Sequence, residues 1–372
     1  MATRMRIENR LPSDILSQIV LFSGDKVVAA TLKRHVSPNT DKFIKTKILV
    51  YGQIQSGKTA YIIEIIKNPK YKGIPKMIII QNSLLVLEQY KKRLREQLVE
   101  FQVIDNMTVS IKKDVFIVMK NRNRLAHYNA ISNKPTQYII IMDESDMYRG
   151  FSSELKGTHV LAKQAFDEYY VTATPLLKKY ECYFDKIVIL KTNENYYGLD
   201  RLNITYTSAD EAVDNFMKTS GMMLVNAFSK IPTMKYYSQK WSDQYPDTPI
   251  ILLSCEKLVF LNKERHKTKS SLSRIIDVLS SHPRILFVAN RLSMRGLSYT
   301  SSDYSRHLTH QYSDLRSNVT NGLQRLRILG NYSDSPVLHL ALPETNIPMV
   351  KKVIKCVRKK LSVSSEAFAC VF

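Results

Sequence analysis

Short apolar runs rich in β-branched residues alternate with longer amphipathic segments along most of this 372-residue chain. The runs at 77–80 and 138–142 are apolar throughout, rather than apolar and polar in turn. Strands of that kind are buried on both faces, which is typical of a parallel sheet covered by helices. The pattern therefore predicts an α/β protein. Its predicted strands span 45–51, 76–80, 114–119, 137–142, 169–172, 186–190, 221–226, 248–254 and 284–289.

The alternation breaks once, in a polar passage rich in Asn and Tyr at 192–200, and then restarts. This break predicts two α/β domains in tandem, at 45–192 and 193–372, the second ending in a basic amphipathic helix. Residues 1–44 lack a strand pattern, and Ser13 is placed to cap a helix, so we expect a short helical N-terminal extension there. Further helices are predicted at 60–67, 83–101, 122–128, 152–165, 233–244, 271–281 and 347–361.

The charge balance is strongly basic, with 55 Lys and Arg against 33 Asp and Glu, a net charge of +22. Both halves of the chain carry the excess, so a basic tail is not its source. A basic surface on folded domains suits contact with a nucleic-acid backbone, because each neutralised phosphate releases counterions. The alternative is that the charge serves solubility alone.

Cysteine usage and hydropathy favour a soluble intracellular protein of the cytoplasm or nucleus. The four cysteines are scattered, without the close pairs of a disulfide framework or a zinc site. No stretch approaches the roughly 18 uninterrupted apolar residues of a membrane span, and the N-terminus lacks the apolar core of a secretion signal. The abundance of Lys, Asn, Ile and Tyr is typical of an AT-rich genome, such as that of a virus, plasmid or parasite.

A phosphate-loop pattern lies between the first predicted strand and the helix after it. Its glycines allow the backbone N–H groups and the positive end of the helix to face phosphate oxygens. Lys58 would hold the β- and γ-phosphates of ATP, and the Thr59 hydroxyl would bind Mg²⁺. The candidate nucleotide-binding residues are Gly52, Gln53, Ile54, Gln55, Ser56, Gly57, Lys58 and Thr59.

An acidic pair follows another apolar strand, as a phosphate loop requires. Asp143 and Glu144 come directly after the run at 138–142. Asp143 would hold Mg²⁺ directly or through a water, and Glu144 would orient the water that attacks the γ-phosphate. Four polar residues after a strand are more often a solvated loop, but the phosphate loop upstream favours the catalytic interpretation.

Three segments, in this order, resemble motifs I, II and III of superfamily 2 helicases: GQIQSGKT at 52–59, DESD at 143–146 and VTATP at 171–175. The third motif of that family couples the nucleotide state to the grip on nucleic acid, which implies coupling roles for Thr172 and Thr174. The resemblance also implies that both domains are RecA-like.

The second domain resembles the family at two further segments. Arg295 and Gly296 open RGLS at 295–298, which is similar to motif V and implies coupling roles for these two residues as well. Gln324 opens QRLR at 324–327, which is similar to motif VI, whose arginine reaches the γ-phosphate. The spacing leaves that arginine open between Arg325 and Arg327. If the stretch is helical, Arg327 shares a face with Gln324, which favours Arg327.

Some details resemble the Z-one domain of helicase-like ATPases. These are QSGKTA in the first motif, a strand ending VMKN at 118–121, the RGLS segment, and a Gln-x-x-Arg-x-x-Gly pattern at 324–330. The resemblance covers about 47–330.

Together these features predict a helicase or translocase that uses ATP and Mg²⁺ to move along a single strand, with DNA favoured over RNA. Its expected setting is a replication, repair, recombination or defence complex, and no membrane contact is expected. Lys120, Asn121 and Arg122 are candidate nucleic-acid contacts, and an ordinary capped helix start is an equal alternative. The rival functions are an RNA helicase, a translocase that does not separate strands, and an ATP-dependent switch that binds no nucleic acid.

Overall fold

The structure is a computed structural model that describes residues 19–23, 26–28, 45–145, 161–162, 164–173, 184–190, 192, 194–254, 256–290, 297–315 and 324–351. The chain divides into two compact units. The first comprises Met1–Ser83 and Tyr90–Asn193, and the second comprises Leu84–Gln89 and Glu194–Phe372.

The first unit is built on a sheet whose described strands run in the order β2-β1-β9-β3-β8-β7-β4-β6-β5. Every neighbouring pair is parallel except β1 with β2. The strands are β1 (Ile19–Ser23), β2 (Lys26–Val28), β3 (Thr46–Gly52), β4 (Lys76–Ile80), β5 (Gln102–Ile104), β6 (Val115–Met119), β7 (Ile139–Met142), β8 (Asp167–Thr172) and β9 (Lys186–Leu190).

Three helices follow strands β3, β4 and β6. They are α1 (Lys58–Lys67), α2 (Leu84–Glu96) and α3 (Arg122–Ala130). α3 begins where it does because the Asn121 side chain accepts a hydrogen bond from the N–H of Arg124 at 2.9 Å, which satisfies one of the free donors of the first turn. The strands read as continuous apolar runs because both faces of the sheet are buried.

An aromatic cluster anchors the core of the first unit. Phe116 stacks on Tyr128 with ring centroids 5.7 Å apart, and Tyr138 meets both rings edge-on. Each of these side chains is fully buried. Burial of one large apolar side chain contributes about 2–3 kcal/mol, so this cluster ties α3 firmly to β6 and β7.

The second unit has a sheet whose described strands run in the order β11-β19-β17-β12-β16-β13-β14-β15, parallel from β11 to β13 and antiparallel beyond. A separate antiparallel pair joins β10 (Tyr196–Tyr197) to β18 (Gly330–Asn331). The sheet strands are β11 (Asn203–Tyr206), β12 (Gly221–Val225), β13 (Ile250–Leu253), β14 (Lys257–Leu261), β15 (Glu264–Thr268), β16 (Arg284–Ala289), β17 (His310–Tyr312) and β19 (His339–Leu342).

The second unit contains the helices α4 (Ala209–Phe216), α5 (Ile231–Gln244) and α6 (Leu272–Val278). Trp241 on α5 is fully buried, and its indole N–H donates to Asp210 on α4 at 2.9 Å. Stacked Phe228 and Tyr237 lie beside it, with ring centroids 4.4 Å apart. Because the chain has one tryptophan, its fluorescence reports on the second unit.

The prediction of an α/β fold with parallel sheets is confirmed, and the strands at 76–80, 186–190 and 284–289 have the predicted bounds. The prediction that 1–44 contains no strand is wrong, because β1 and β2 form an antiparallel pair and β1 also pairs with β9. The predicted helix after Ser13 lies outside the described residues. The helix at 347–361 begins as predicted, and its residues after 351 lie outside the description.

Among the helices that the structure describes, none combines the length and the apolar character needed to cross a membrane.

Candidate functional site

The phosphate-loop segment, the acidic pair and Thr172 lie at one edge of the first sheet. The phosphate-loop segment follows β3, the acidic pair follows β7, and Thr172 ends β8. Strand β8 pairs in parallel with both other strands. Parallel strands end at the same edge, which is where α/β proteins hold their ligands. The order of strands thus gathers segments that lie more than 80 residues apart in sequence.

The loop between β3 and α1 is shaped as a cradle. Gly57 has φ +92°, a left-handed conformation that favours glycine, and it forms the N-cap of α1. A side chain at Gly52 would place its Cβ 2.6 Å from Ser56 Oγ and 3.1 Å from Leu190. Ser56 Oγ is buried and has no hydrogen-bond partner among the described residues. A loop with a buried hydroxyl at the start of a 10-residue helix fits a phosphate group.

Lys58 is 9% exposed and lies against this loop. Its Nζ donates to the carbonyl oxygens of Gln53 at 2.7 Å and Gly52 at 3.2 Å. Phosphate oxygens are stronger acceptors than these carbonyls because they are charged. The ammonium group can therefore exchange its loop contacts for a bound anion.

Asp143 and Glu144 are both buried at the end of β7. Asp143 Oδ1 accepts a hydrogen bond from the N–H of Glu144 at 3.0 Å. Burial raises the pKa of the Asp143 carboxyl, against the opposing effects of the Tyr90 hydroxyl and the Lys58 charge. Glu144 has φ +52°, a strained conformation for a residue with a side chain and one that clusters at functional sites.

Two residues of α2, one turn apart, complete the arrangement. The Tyr90 hydroxyl donates to Asp143 Oδ2 at 2.7 Å, and the Arg93 guanidinium donates to Thr59 Oγ1 at 2.8 Å. Neither residue is predicted from the sequence as part of the site. The available sequence signal was the helical spacing of Val86, Leu87, Tyr90 and Leu94. This spacing places Tyr90 on the buried apolar face of α2.

The residues present fit a magnesium ion. The Thr59 hydroxyl and the Asp143 carboxylate are hard oxygen donors, which is the ligand type that Mg²⁺ prefers. Both connect through α2, since Tyr90 contacts the carboxylate and Arg93 contacts the hydroxyl.

Of the four coupling candidates in the third motif and in motif V, only Thr172 lies among the described residues. Thr172 is 1% exposed at the end of β8. Thr174, Arg295 and Gly296 lie outside the described residues.

The motif VI candidates are buried within the second unit. Gln324, Arg325 and Arg327 are 2%, 4% and 6% exposed. Residues 325–327 are not helical, so the premise that 324–327 share a helix face is wrong. Arg325 donates to the carbonyl of Asp314 at 2.7 Å, which gives it a contact within its own unit.

The nucleic-acid candidates lie at the same edge of the first sheet, after β6. Asn121 caps α3 and also donates to Asn82 Oδ1 at 3.0 Å. Its side chain therefore has a structural role. Arg122 is exposed, and Lys120 is half-buried.

No family model and no curated protein sequence matches this chain. Solved structures do match. HrpB, a DEAH/RHA helicase of Escherichia coli, is similar over 81% of this chain and 41% of its own, with 12% identity and a TM-score of 0.53. Dbp5 of Saccharomyces cerevisiae, bound to RNA and ADP-BeF3, is similar over 88% of this chain and 90% of its own, with 11% identity and a TM-score of 0.58.

RecG bound to a three-way DNA junction is similar over 88% of this chain and 43% of its own, with 12% identity and a TM-score of 0.52. The chain thus spans less than half the length of HrpB and of RecG. It has the fold of superfamily 2 helicases, with tandem RecA-like domains, as the sequence motifs implied.

Proposed function

We propose that this chain is a nucleic-acid-dependent ATP hydrolase of the helicase or translocase type. The proposal rests on one observation. The phosphate loop and the buried acidic pair lie at the same edge of the first sheet. In the proposal, residues 52–59 bind the triphosphate, and Lys58 moves from its loop carbonyls to the β- and γ-phosphates. Glu144 orients the attacking water.

Magnesium has a defined place in this proposal. Thr59 and Asp143 would hold it, and when bound it would offset the negative charge of the β- and γ-phosphates. Arg327 is the proposed arginine finger, on the resemblance of 324–327 to motif VI. Thr172, Thr174, Arg295 and Gly296 keep their proposed coupling roles.

The proposed track is nucleic acid, with DNA preferred. The net charge of +22 supports binding of a polyphosphate backbone, and it attracts DNA and RNA alike. RNA is the second candidate, since Dbp5 was solved with RNA and this chain covers 90% of its length, whereas RecG was solved with a DNA junction. Competition between single-stranded DNA and RNA of one sequence distinguishes the two, because the 2′-hydroxyl is the main difference.

The test is the steady-state rate of ATP hydrolysis with no polymer, single-stranded DNA, duplex DNA and RNA. We expect stimulation by at least one polymer, dependence on Mg²⁺, and loss of at least about 100-fold in Lys58→Ala and in Glu144→Gln. Lys67→Ala, an exposed lysine on the same helix, is the matched control and should keep the wild-type rate.

Each alternative has its own result. Activity that survives Lys58→Ala would overturn the ATP site. A rate abolished by Lys58→Ala but indifferent to every polymer would favour the ATP-dependent switch. Stimulated hydrolysis without separation of a fluorescent duplex would indicate a translocase.

A further inference from the structure

One face of α2 contacts both oxygens that the proposed function assigns to the metal. Tyr90 donates to Asp143 Oδ2 at 2.7 Å, and Arg93 donates to Thr59 Oγ1 at 2.8 Å. Residues three apart on a helix project to the same side. A single helical turn therefore holds a ligand that follows β7 and a ligand that opens α1.

The Asp143 carboxylate is fixed at both oxygens. Oδ2 accepts from the Tyr90 hydroxyl, and Oδ1 accepts from the backbone N–H of Glu144 at 3.0 Å. Tyr90 is 4% exposed and Asp143 is 7% exposed, so water competes weakly for these bonds. Partners that orient a ligand in this way raise its affinity for a metal, because the carboxylate loses less freedom on binding.

The Arg93 contact has the opposite consequence. A guanidinium is permanently charged, and here it lies on the hydroxyl that would bind a cation. A divalent ion on Thr59 Oγ1 would meet a positive charge at contact distance. Like charges at that distance repel strongly in a half-buried site. The guanidinium and the metal therefore compete for the same place.

We infer that Tyr90 is a positioning residue for the Asp143 carboxylate and that Arg93 is a placeholder cation, which occupies the Thr59 hydroxyl until a metal–nucleotide complex displaces it. This inference rests on the proposed function. It assigns opposite effects to two neighbouring residues of α2. Loss of the Tyr90 hydroxyl weakens metal binding, whereas loss of the Arg93 charge strengthens it.

The experiment measures the affinity for a fluorescent ADP analogue in EDTA and at rising free Mg²⁺. The quantity compared between variants is the Mg²⁺ concentration at which half of the Mg²⁺-dependent gain in affinity is reached. Tyr90→Phe should raise that concentration about 10-fold, the usual size of an outer-shell effect on metal affinity. Arg93→Gln should lower it at least about threefold. Arg93→Lys, which keeps the charge, should stay near wild type.

Arg95→Gln is the matched control, because Arg95 is exposed on the same helix and lies over the Phe101 ring at 5.9 Å. It should leave the half-saturating Mg²⁺ concentration unchanged. Mn²⁺ binding followed by electron paramagnetic resonance, on the same variants with ADP present, should rank them in the same order. Thermal unfolding of each variant shows that the fold is kept.

An unchanged Mg²⁺ requirement in Tyr90→Phe overturns the positioning role, and an unchanged or raised requirement in Arg93→Gln overturns the placeholder role. Failure of the proposed function looks different. In that case wild type and Lys58→Ala would bind the analogue equally, or neither would bind it, and the inference would fall with the site.

Discussion

The Gln311 side chain donates a hydrogen bond to the carbonyl of Arg325 at 2.7 Å, which links β17 to the segment that resembles motif VI. Gln311 also accepts from the N–H of Ile328 at 3.0 Å, and Asn226 donates to the same Arg325 carbonyl at 2.8 Å. Gln311 and Asn226 are each 1% exposed. Side-chain amides thus replace the missing backbone partners of a segment that is neither helix nor strand.

Substitution of Gln311 by Met should destabilise the second unit. Met is similar in size but offers no amide, so the N–H of Ile328 loses its side-chain acceptor in a buried place. Each buried polar group left without a partner costs about 1–3 kcal/mol, and we expect a loss of about 2–4 kcal/mol in the free energy of unfolding. Urea unfolding followed by Trp241 fluorescence measures it.

Gln239→Met is the control for that substitution, because Gln239 is exposed and its amide bonds only to the neighbouring Asp243 in the described contacts. Its unfolding midpoint should match wild type. Equal midpoints for both variants would show that the Gln311 network adds nothing to stability. If the network also orients Arg327, polymer-stimulated hydrolysis should fall in Gln311→Met at temperatures where the unit remains folded.

Two carboxylates near the start of β3 offer a matched test of burial in the first unit. Asp167 is 2% exposed, and it accepts from the N–H of Thr46 at 3.2 Å and from the Tyr71 hydroxyl at 2.7 Å. Asp185 is exposed and accepts from the N–H of Lys47 at 2.8 Å. Asp167→Ala should cost about 2–4 kcal/mol, because it removes the buried acceptor shared by the Thr46 N–H and the Tyr71 hydroxyl, and Asp185→Ala less than about 1 kcal/mol.

Urea unfolding followed by circular dichroism compares the two variants. The transition of Trp241 fluorescence serves as an internal control, since that residue belongs to the second unit. A similar loss in both variants would contradict the argument from burial.

The continuous apolar strands were predictable because burial on both faces leaves a strong sequence signal. β4 and β16 were placed to the residue for this reason. β17 was missed because its three residues, 310–312, read as polar. Gln311 is nonetheless buried, since its amide finds partners that only the folded chain supplies. The sequence cannot show a polar residue satisfied by distant backbone groups.

The hairpin of β14 and β15 was missed for a different reason. The run at 263–269 is basic and lacks an apolar pattern, so no strand is predicted there. Asn262 and Lys263 adopt φ +52° and +63°, as in a two-residue hairpin turn, and Leu261 pairs with Glu264 across it. The apolar run at 258–261 followed by Asn262 was the available sequence signal. The phosphate loop is recognisable from its sequence pattern alone. Tyr90 and Arg93 are identified as site residues only by their contacts in the folded chain.

Acid should destabilise the second unit through His310. Its ring stacks on His339 with centroids 4.6 Å apart, and burial, followed by the nearby His339, lowers the pKa of His310 to about 4. An unfolded histidine has a pKa near 6.5, so the unfolded chain takes up this proton first. The stability contribution is full above about pH 6.5 and is lost as the pH falls toward 4.

We expect wild type to lose about 1–2 kcal/mol more than His310→Gln between pH 7 and pH 5, after allowance for the partial exposure of the ring. Urea unfolding followed by Trp241 fluorescence at the two pH values gives the difference. His266→Gln, at an exposed histidine of β15, should follow wild type. Parallel pH dependences of wild type and His310→Gln would exclude the stacked pair as the cause.

Lys120 and Arg122 should contribute to the polymer-stimulated rate without affecting the rate in the absence of polymer. Both follow β6, at the sheet edge that carries the phosphate loop, while Asn121 between them is engaged as a helix cap. Each phosphate contact that is lost should lower the slope of log affinity against log salt by about 0.7–0.9. The double variant Lys120→Ala/Arg122→Ala should therefore bind single strands less tightly and with a shallower salt dependence.

Lys72→Ala/Lys112→Ala is the control of equal charge, because both lysines are exposed and precede β4 and β6, at the opposite edge of the sheet. Fluorescence anisotropy of a labelled oligonucleotide at several salt concentrations compares the two double variants. If only the net charge matters, both will weaken binding to the same extent. A selective loss in Lys120→Ala/Arg122→Ala would place the track at the edge that carries the candidate ATP site.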